Sequence, residues 1–424
     1  MLGSLYTGIS GVNSYTQAMA VVGDNIANVN TTGFKSSMAT FETLLSQTLG
    51  NAGEVGRGVR IGSIRPSWAA GTMENTTSLT DLAINGTGLF ILKDEMGTTT
   101  YSRAGVFQFN KLGELVNSAD GKYVQGYSID ATGALGAMGK IQLPSGLKDP
   151  KTTTNFSTNI NLDSRTVGTA PITWTPAVPG WGTTVDDYRE ADYSSTLTIY
   201  DSLGNAIPLT LYFKKDDVVL NEWEVAAVAT VNGAMIPVTV NGGTSTPLNF
   251  DSEGNLTTAA DVTFAFNPGT GANPMSFTWN IAGNKTITQF GTVSTIMSKD
   301  QNGYTAGTFA GVSIEEGGIV TVMYSNGQLE KLAHIALADF QNYAGLRRIG
   351  GNQYVETLES GQPNENPAGT NGTGDVTPYS LEMSNVDLST EFVKMITNQR
   401  AFQANCKVIT TSDEILAELM MIKR

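Results

Sequence analysis

Residues 386–424 read VDLSTEFVKMITNQRAFQANCKVITTSDEILAELMMIKR, a stretch with neither glycine nor proline. Leu388, Phe392, Met395, Phe402, Cys406, Ile409, Leu416 and Met420 recur at alternating steps of three and four, interrupted only by Gln399 and Asp413. That period is the signature of an amphipathic helix that pairs with another helix. A second stripe, Val393, Ile396, Val408, Ile415, Leu419 and Ile422, runs beside the first, so the apolar face is wide enough for more than one neighbour. Thirty-odd residues at 1.5 Å each predict a rod of about 50 Å. Ser384-Asn-Val-Asp387 predicts a capping box at its start. Lys423 and Arg424 would complement the dipole at its end. Alone, such a helix would expose an apolar stripe of the kind soluble monomers avoid.

The other end of the chain supplies a candidate partner. Over residues 2–29, Leu2, Leu5, Ile9, Val12, Met19 and Ile26 keep a similar spacing, with Thr16 and Gly23 as gaps. Gly3, Gly8, Gly11 and Gly23 each weaken this helix by roughly 1 kcal/mol relative to alanine. Two arrangements satisfy the pattern. The terminal helices (1–30 and 386–424) pair as a coiled coil that also drives self-assembly, or they close as a clasp over a globular core.

Between the helices the period changes to two. Short alternating runs are separated by turn signals such as Asp201-Ser-Leu-Gly-Asn205, Asn232-Gly233 and Asp251-Ser-Glu-Gly-Asn255, which predicts β-hairpins. The expected fold class is therefore multidomain and mainly β, with long terminal helices and middle β domains nested by insertion. Residues 31–69, with a glycine-rich run at 50–58, are expected as a connector. Residues 70–146 and 297–360 form a middle β domain, and 147–296 an inserted outer β domain. Residues 361–385, rich in Gly, Pro, Asn and Thr, are expected as a polar linker.

Composition narrows the chemistry. The chain has 424 residues and a net charge of -14, which disfavours nucleic acid and anionic membranes as partners. One histidine, His334, and one cysteine, Cys406, exclude an internal disulfide and an ordinary zinc site. His334 sits in an alternating run and reads as a hydrogen-bonded strand residue. The Asp-x-x-Gly runs lack a full calcium-loop pattern and read as Asx turns. The acid pairs Asp186-Asp187 and Glu315-Glu316 read as solvated loops. No catalytic residue, metal or cofactor is expected. No Sec-type signal peptide or membrane-spanning run is read in the sequence.

Several motifs carry a resemblance. Asn25-Ile-Ala-Asn28-Val-Asn30-Thr-Thr-Gly33-Phe34-Lys35 resembles the signature that follows the first helix of flagellar rod and hook proteins. Ala83-Ile-Asn-Gly-Thr-Gly-Leu-Phe90 and Tyr101-Ser-Arg-Ala-Gly-Val-Phe107 are similar to core motifs of that family. Asn385-Val-Asp-Leu388 and Asn398-Gln399-Arg400-Ala-Phe-Gln-Ala-Asn405 resemble its C-terminal helix. The large insertion resembles the outer domain of hook proteins rather than the shorter distal rod proteins. A secreted β-rich adhesin or fibre is the reading from a different class. The resemblance implies an extracellular structural subunit of the flagellar hook, forming a curved tube that acts as a universal joint. It also implies export by the flagellar type III apparatus and contact with distal rod, hook cap and hook-filament junction proteins.

Overall fold

A computed structural model describes residues 2–44, 47–48, 54–169, 190–281 and 287–422. The Lys423-Arg424 end, Asp186-Asp187 and residues 50–53 of the glycine-rich run lie outside these, as does the side chain of Leu2. Two helices bracket the chain: α1, Leu2–Ala27, and α2, Leu388–Ile422. All the longer elements between them are strands. The chain divides into two compact units, one of residues 1–145, 311–323 and 329–424, the other of 146–310 and 324–328.

The first unit is built on a 12-stranded sheet whose central strands are Leu329–Asp339, Tyr123–Ile129 and Leu89–Lys93. Both faces of these strands are buried, and the two-residue period sends alternate side chains to opposite cores. Phe90, Leu92, Ile335 and Leu337 enter one core, while Leu89, Ile91, Ala336 and Ala338 enter the other. Half-buried His334, on Leu329–Asp339, meets the carbonyl of Gly317 at 2.8 Å through Nε2. Residues 31–69 are more ordered than a connector. Ser37–Thr43 and Val59–Pro66 form an antiparallel hairpin laid against α1, where Ser14 Oγ donates to the Val59 carbonyl and Tyr15 meets the Phe41 ring. This hairpin, the helix pair and the β body belong to one unit rather than to separate domains.

The polar linker expected at 361–385 is corrected by the structure. Asn364–Pro367 pairs with Leu329–Asp339, Asp375–Pro378 with Leu82–Asn85, and Ser380–Glu382 with Met73–Asn75. Each of these strands of three or four residues buries only one or two side chains (Asn366, Val376, Ser380 and Glu382), too few to leave a periodic signal. Backbone pairing holds them, and composition does not reveal it.

The second unit contains a 10-stranded sheet around one aromatic core in which Phe156, Phe213, Trp223, Phe264, Phe277 and Trp279 are almost wholly buried. Tyr193–Tyr200 and Ala206–Lys215 are joined by the Asp201 turn, and Glu222–Val231 and Ala234–Val240 by Asn232-Gly233. Both residues of the latter turn have positive φ, as a primed hairpin turn requires. The Asp201 carboxylate accepts from the backbone N–H groups of Leu203 and Asn205 and from Asn205 Nδ2. Asp251 holds its own turn the same way. Return to the first unit was expected near 297. Instead Thr295–Gln301 pairs with Asn155–Asn161, which keeps the chain in the second unit to residue 310.

Candidate assembly surface and the ionic clamp behind it

The terminal helices lie antiparallel. Ser4 Oγ is 3.2 Å from Ser412 Oγ, Gly8 faces Ile409, Gly11 faces Asn405, and Asn25 Nδ2 donates to Glu391 Oε2 at 3.0 Å. The buried stripe of α1 is Gly8, Gly11, Ser14, Ala18, Val22 and Asn25. The sequence reading placed the seam on the larger apolar residues; within the subunit that is corrected for α1, while Ile409 of α2 does lie against Gly8. Small side chains let the two backbones approach, and the larger ones flank the contact. Leu5, Val12, Met19 and Ile26 are half-buried and Ile9 is exposed. On α2, Met395, Phe402, Ile409 and Leu416 are half-buried at the same helical spacing as Glu391, Asn398, Asn405 and Ser412, whereas Leu388 and Phe392 are exposed. A methyl on Gly11 would stand 2.6 Å from Cγ of Asn405. That amide can swing aside, whereas a methyl on Gly8 would stand 2.9 Å from Ile409 Cγ1 and 3.4 Å from the Asn405 carbonyl oxygen, so Gly8→Val should press the helices apart, lowering the helical circular dichroism while both β units keep their melting behaviour. An unchanged helical signal would show that the seam tolerates the added bulk.

The cap of α2 also differs from expectation. Asp387, not Ser384, closes the helix start: its carboxylate accepts from the Ser389 N–H and the Thr390 hydroxyl. These bonds hold the Asp387 carboxyl below the usual range, the Thr390 hydroxyl contributing most.

The motif residues after α1 serve the join between helix and β body. Asn25 exchanges a pair of hydrogen bonds with the backbone of Ser37, each 2.8 Å. Asn28 caps the end of α1, donating to the Asp24 carbonyl and accepting from the Thr31 hydroxyl. Asn30 is exposed. Gly33 has φ +68°, and a methyl there would sit 2.6 Å from the Ala104 nitrogen, so both conformation and space require glycine. Its N–H donates to the Glu382 carbonyl at 2.7 Å. Phe34 is buried beneath the Arg348 guanidinium, 5.4 Å from the ring centre. On α2, Asn405 Nδ2 turns to the Ala401 carbonyl, while Gln399 and Arg400 face outward.

Beside Gly33 lies a buried ionic group that the sequence reading missed. Lys35, Arg103 and Glu382 are each 5 % exposed or less. Glu382 Oε1 accepts from Lys35 Nζ and from the Gly71 N–H, both at 2.8 Å, and Oε2 accepts from Arg103 Nε. Arg103 also donates to the carbonyls of Ile84, Gly86 and Gly88, and Lys35 to that of Ala69. Burial by itself would raise the Glu382 carboxyl. The Arg103 charge and the bonds from Arg103, Lys35 and Gly71 outweigh it and hold the carboxyl below its ordinary value. Burial pushes the Lys35 ammonium down, and Glu382 offsets part of that. Asn385 completes the join by accepting from Ser36 N–H and donating to the carbonyls of Ser67 and Ala69. Lys35 and Arg103 fall inside two quoted motifs, which was the available signal.

Among the described residues, no group of three or more His, Cys, Asp or Glu side chains is placed to hold a metal. No described helix is long and apolar enough to cross a membrane.

The comparisons with known proteins follow this layout. Family models match in four places: "Flagella basal body rod protein" at 5–35, "Flagellar hook protein FlgE/F/G D1 domain" at 83–163, "Flagellar basal body protein FlaE D2 domain" at 161–304, and "Flagellar basal body rod FlgEFG protein C-terminal" at 378–421. The flagellar hook protein FlgE of Treponema pallidum is 33% identical, with all of both chains covered. That of Borreliella burgdorferi is 34% identical, also over the whole of both. This chain belongs to the flagellar hook protein family. The FlgE of Escherichia coli agrees, at 34% identity over 98% of each chain. A solved FlgE2 of Helicobacter pylori shares the fold at TM-score 0.52 and 17% identity, covering 73% of this chain and all of that one. In this hook-family chain the clamp joins residues drawn from three of the four matched regions: Lys35, Arg103 and Glu382.

Proposed function

We propose that the chain is the structural subunit of the flagellar hook, polymerising into a curved, flexible tube that carries torque from rod to filament. The observation that carries this reading is the unpartnered side of α2. Phe392, Val393, Ile396, Val408, Ile415 and Leu419 remain 40–62 % exposed while α1 occupies the opposite face. Soluble monomers avoid leaving so many large apolar side chains in water, and in a polymer neighbouring copies can cover them. Subunits joined by heterologous contacts that do not close make open helical filaments. The residues expected to bury on assembly are Leu2, Leu5, Ile9, Val12, Met19 and Ile26 of α1 with Leu388, Phe392, Met395, Phe402, Ile409 and Leu416 of α2.

The role is structural, not catalytic. The finished tube is extracellular, reached through the type III export apparatus with the N-terminus uncleaved, and it meets the distal rod, hook cap and junction proteins at its ends. Family membership and the four matched regions support this reading. Negative-stain microscopy of the purified chain under polymerising conditions tests it. Short curved tubes are expected, and discrete particles at all concentrations would sink it.

A further inference from the structure

Asparagine precedes glycine at six places, Asn85, Asn232, Asn241, Asn302, Asn326 and Asn371. The pairing is chemically reactive. Glycine has no Cβ to shield its nitrogen, so that nitrogen can reach the side-chain carbonyl carbon of the asparagine before it. Whether it does depends on how each carboxamide is held, and the fold holds them unequally.

Most of them are tied down. Asn241 Oδ1 accepts from the Thr263 N–H at 2.8 Å, and its Nδ2 donates to the Thr246 hydroxyl. Asn302 Oδ1 accepts from the N–H groups of Thr154 and Asn155. Asn326 accepts from the Gln328 N–H and donates to the Thr305 carbonyl. Asn371 Nδ2 donates to Asn366 Oδ1 at 2.8 Å, and the Gly372 carbonyl beside it accepts from the Thr87 hydroxyl. Asn85 is fixed through its backbone instead. It pairs with Asp375, and the carbonyls of Ile84 and Gly86 on either side both accept from Arg103.

Asn232 differs. It is exposed, and among the described residues its carboxamide makes no hydrogen bond. Residues 232–235 are all exposed, at the tip of a hairpin whose outermost backbone pair is Val231 with Ala234. No atom lies within 4 Å of the place a Cβ would take on Gly233. The attack requires Asn232 and Gly233 to leave their φ values of 51° and 80°. A hairpin tip opens locally at little cost, because few buried contacts and few backbone bonds are broken.

We infer that Asn232-Gly233 is a site of spontaneous deamidation, the first of the six to convert. The Gly233 nitrogen, its proton lost to base, attacks Asn232 Cγ. The N–Cγ bond forms, the Cγ–Nδ2 bond breaks, and Nδ2 takes up a proton and leaves as ammonia. The resulting five-membered imide adds water at either carbonyl and reopens to aspartate or isoaspartate. The net change is a water gained and an ammonia lost, with a negative charge added to the hairpin tip. The isoaspartyl product also inserts a methylene carbon into the main chain, which breaks the fit between a two-residue turn and its flanking strands. Released ammonia does not return, so the mark accumulates with the age of each copy.

The test uses the full chain, kept folded in warm, mildly alkaline buffer, sampled over weeks, digested and mapped by mass spectrometry at all six positions. Asn232 should convert about fivefold or more faster than the other five, the worth of roughly one hydrogen bond that must open first. In urea, where no carboxamide is held, the six should convert at similar rates. Equal rates in the folded chain, or another position leading, would overturn the inference. The same lead for Asn232 in urea would also overturn it, because the order would then come from neighbouring residues rather than from the fold. An isoaspartyl methyltransferase should label the aged chain strongly and an equally aged Asn232→Ser chain several-fold less. Equal labelling of the two would count against the site.

Discussion

Glu382→Gln is expected to cost the first unit about 3–5 kcal/mol, because it leaves two cations buried with one neutral partner. That is a large part of the 5–15 kcal/mol by which a folded domain usually exceeds its unfolded state. The other acceptors of Arg103 and Lys35, the carbonyls of Ile84, Gly86, Gly88 and Ala69, are neutral, so the glutamine amide leaves the two charges without a counter-ion. The clamp also predicts a pH dependence with a definite sign. A carboxyl whose folded pKa lies below its unfolded value gives stability that is full above the unfolded pKa and is lost as pH falls through the folded one. The wild-type first unit should therefore weaken on acidification from just below pH 4.5, the ordinary Glu value. Glu382→Gln, already lacking that stability, should show a flatter acid limb. Urea unfolding of the full chain measures both effects. The transition of the first unit should move to lower urea while that of the second stays put, and a coincident shift of neither would refute the clamp's energetic role.

The second large effect concerns assembly. Ile396→Asp combined with Ile415→Asp puts two carboxylates on the outward side of α2, where both isoleucines are about half exposed. In the free subunit these positions meet water, so the melting curve should barely move. In a tube each substitution forfeits about 1.5–3 kcal/mol of apolar burial and buries an unpaired charge besides. Sedimentation should recover no polymer at concentrations where the unsubstituted chain pellets. Normal tubes from this variant would mean that the outward side of α2 is not an assembly surface.

How far these features were legible in the sequence depends on what kind of residue makes them. The length and wide apolar face of α2 could be read, because a run without glycine or proline and with a 3–4 period has few other solutions. The helix seam could not. Hydrophobic spacing marks side chains that seek burial, and Gly8, Gly11 and Ser14 contribute by having almost none, so the larger residues beside them drew the assignment. The clamp failed for another reason. Lys35, Arg103 and Glu382 are distant in the chain, and a lone charge in a loop reads as solvated until its partners are known. The short strands between 364 and 382 were hidden by composition, since proline, asparagine and glycine signal a linker even where backbone pairing holds the segment in a sheet.

The order of residues in the clamp bears on quality control during synthesis. Its cations, Lys35 and Arg103, are made early, but its acid Glu382, the joining Asn385 and the helix-pairing Glu391 come within the last tenth or so of the chain. A product truncated anywhere before them lacks the acid that neutralises two buried cations and the helix that covers α1. It is thereby poorly folded at its core and blank at its assembly face. The same last residues therefore complete both the buried ionic group and the helix pair, so a copy that ends early forgoes both at once.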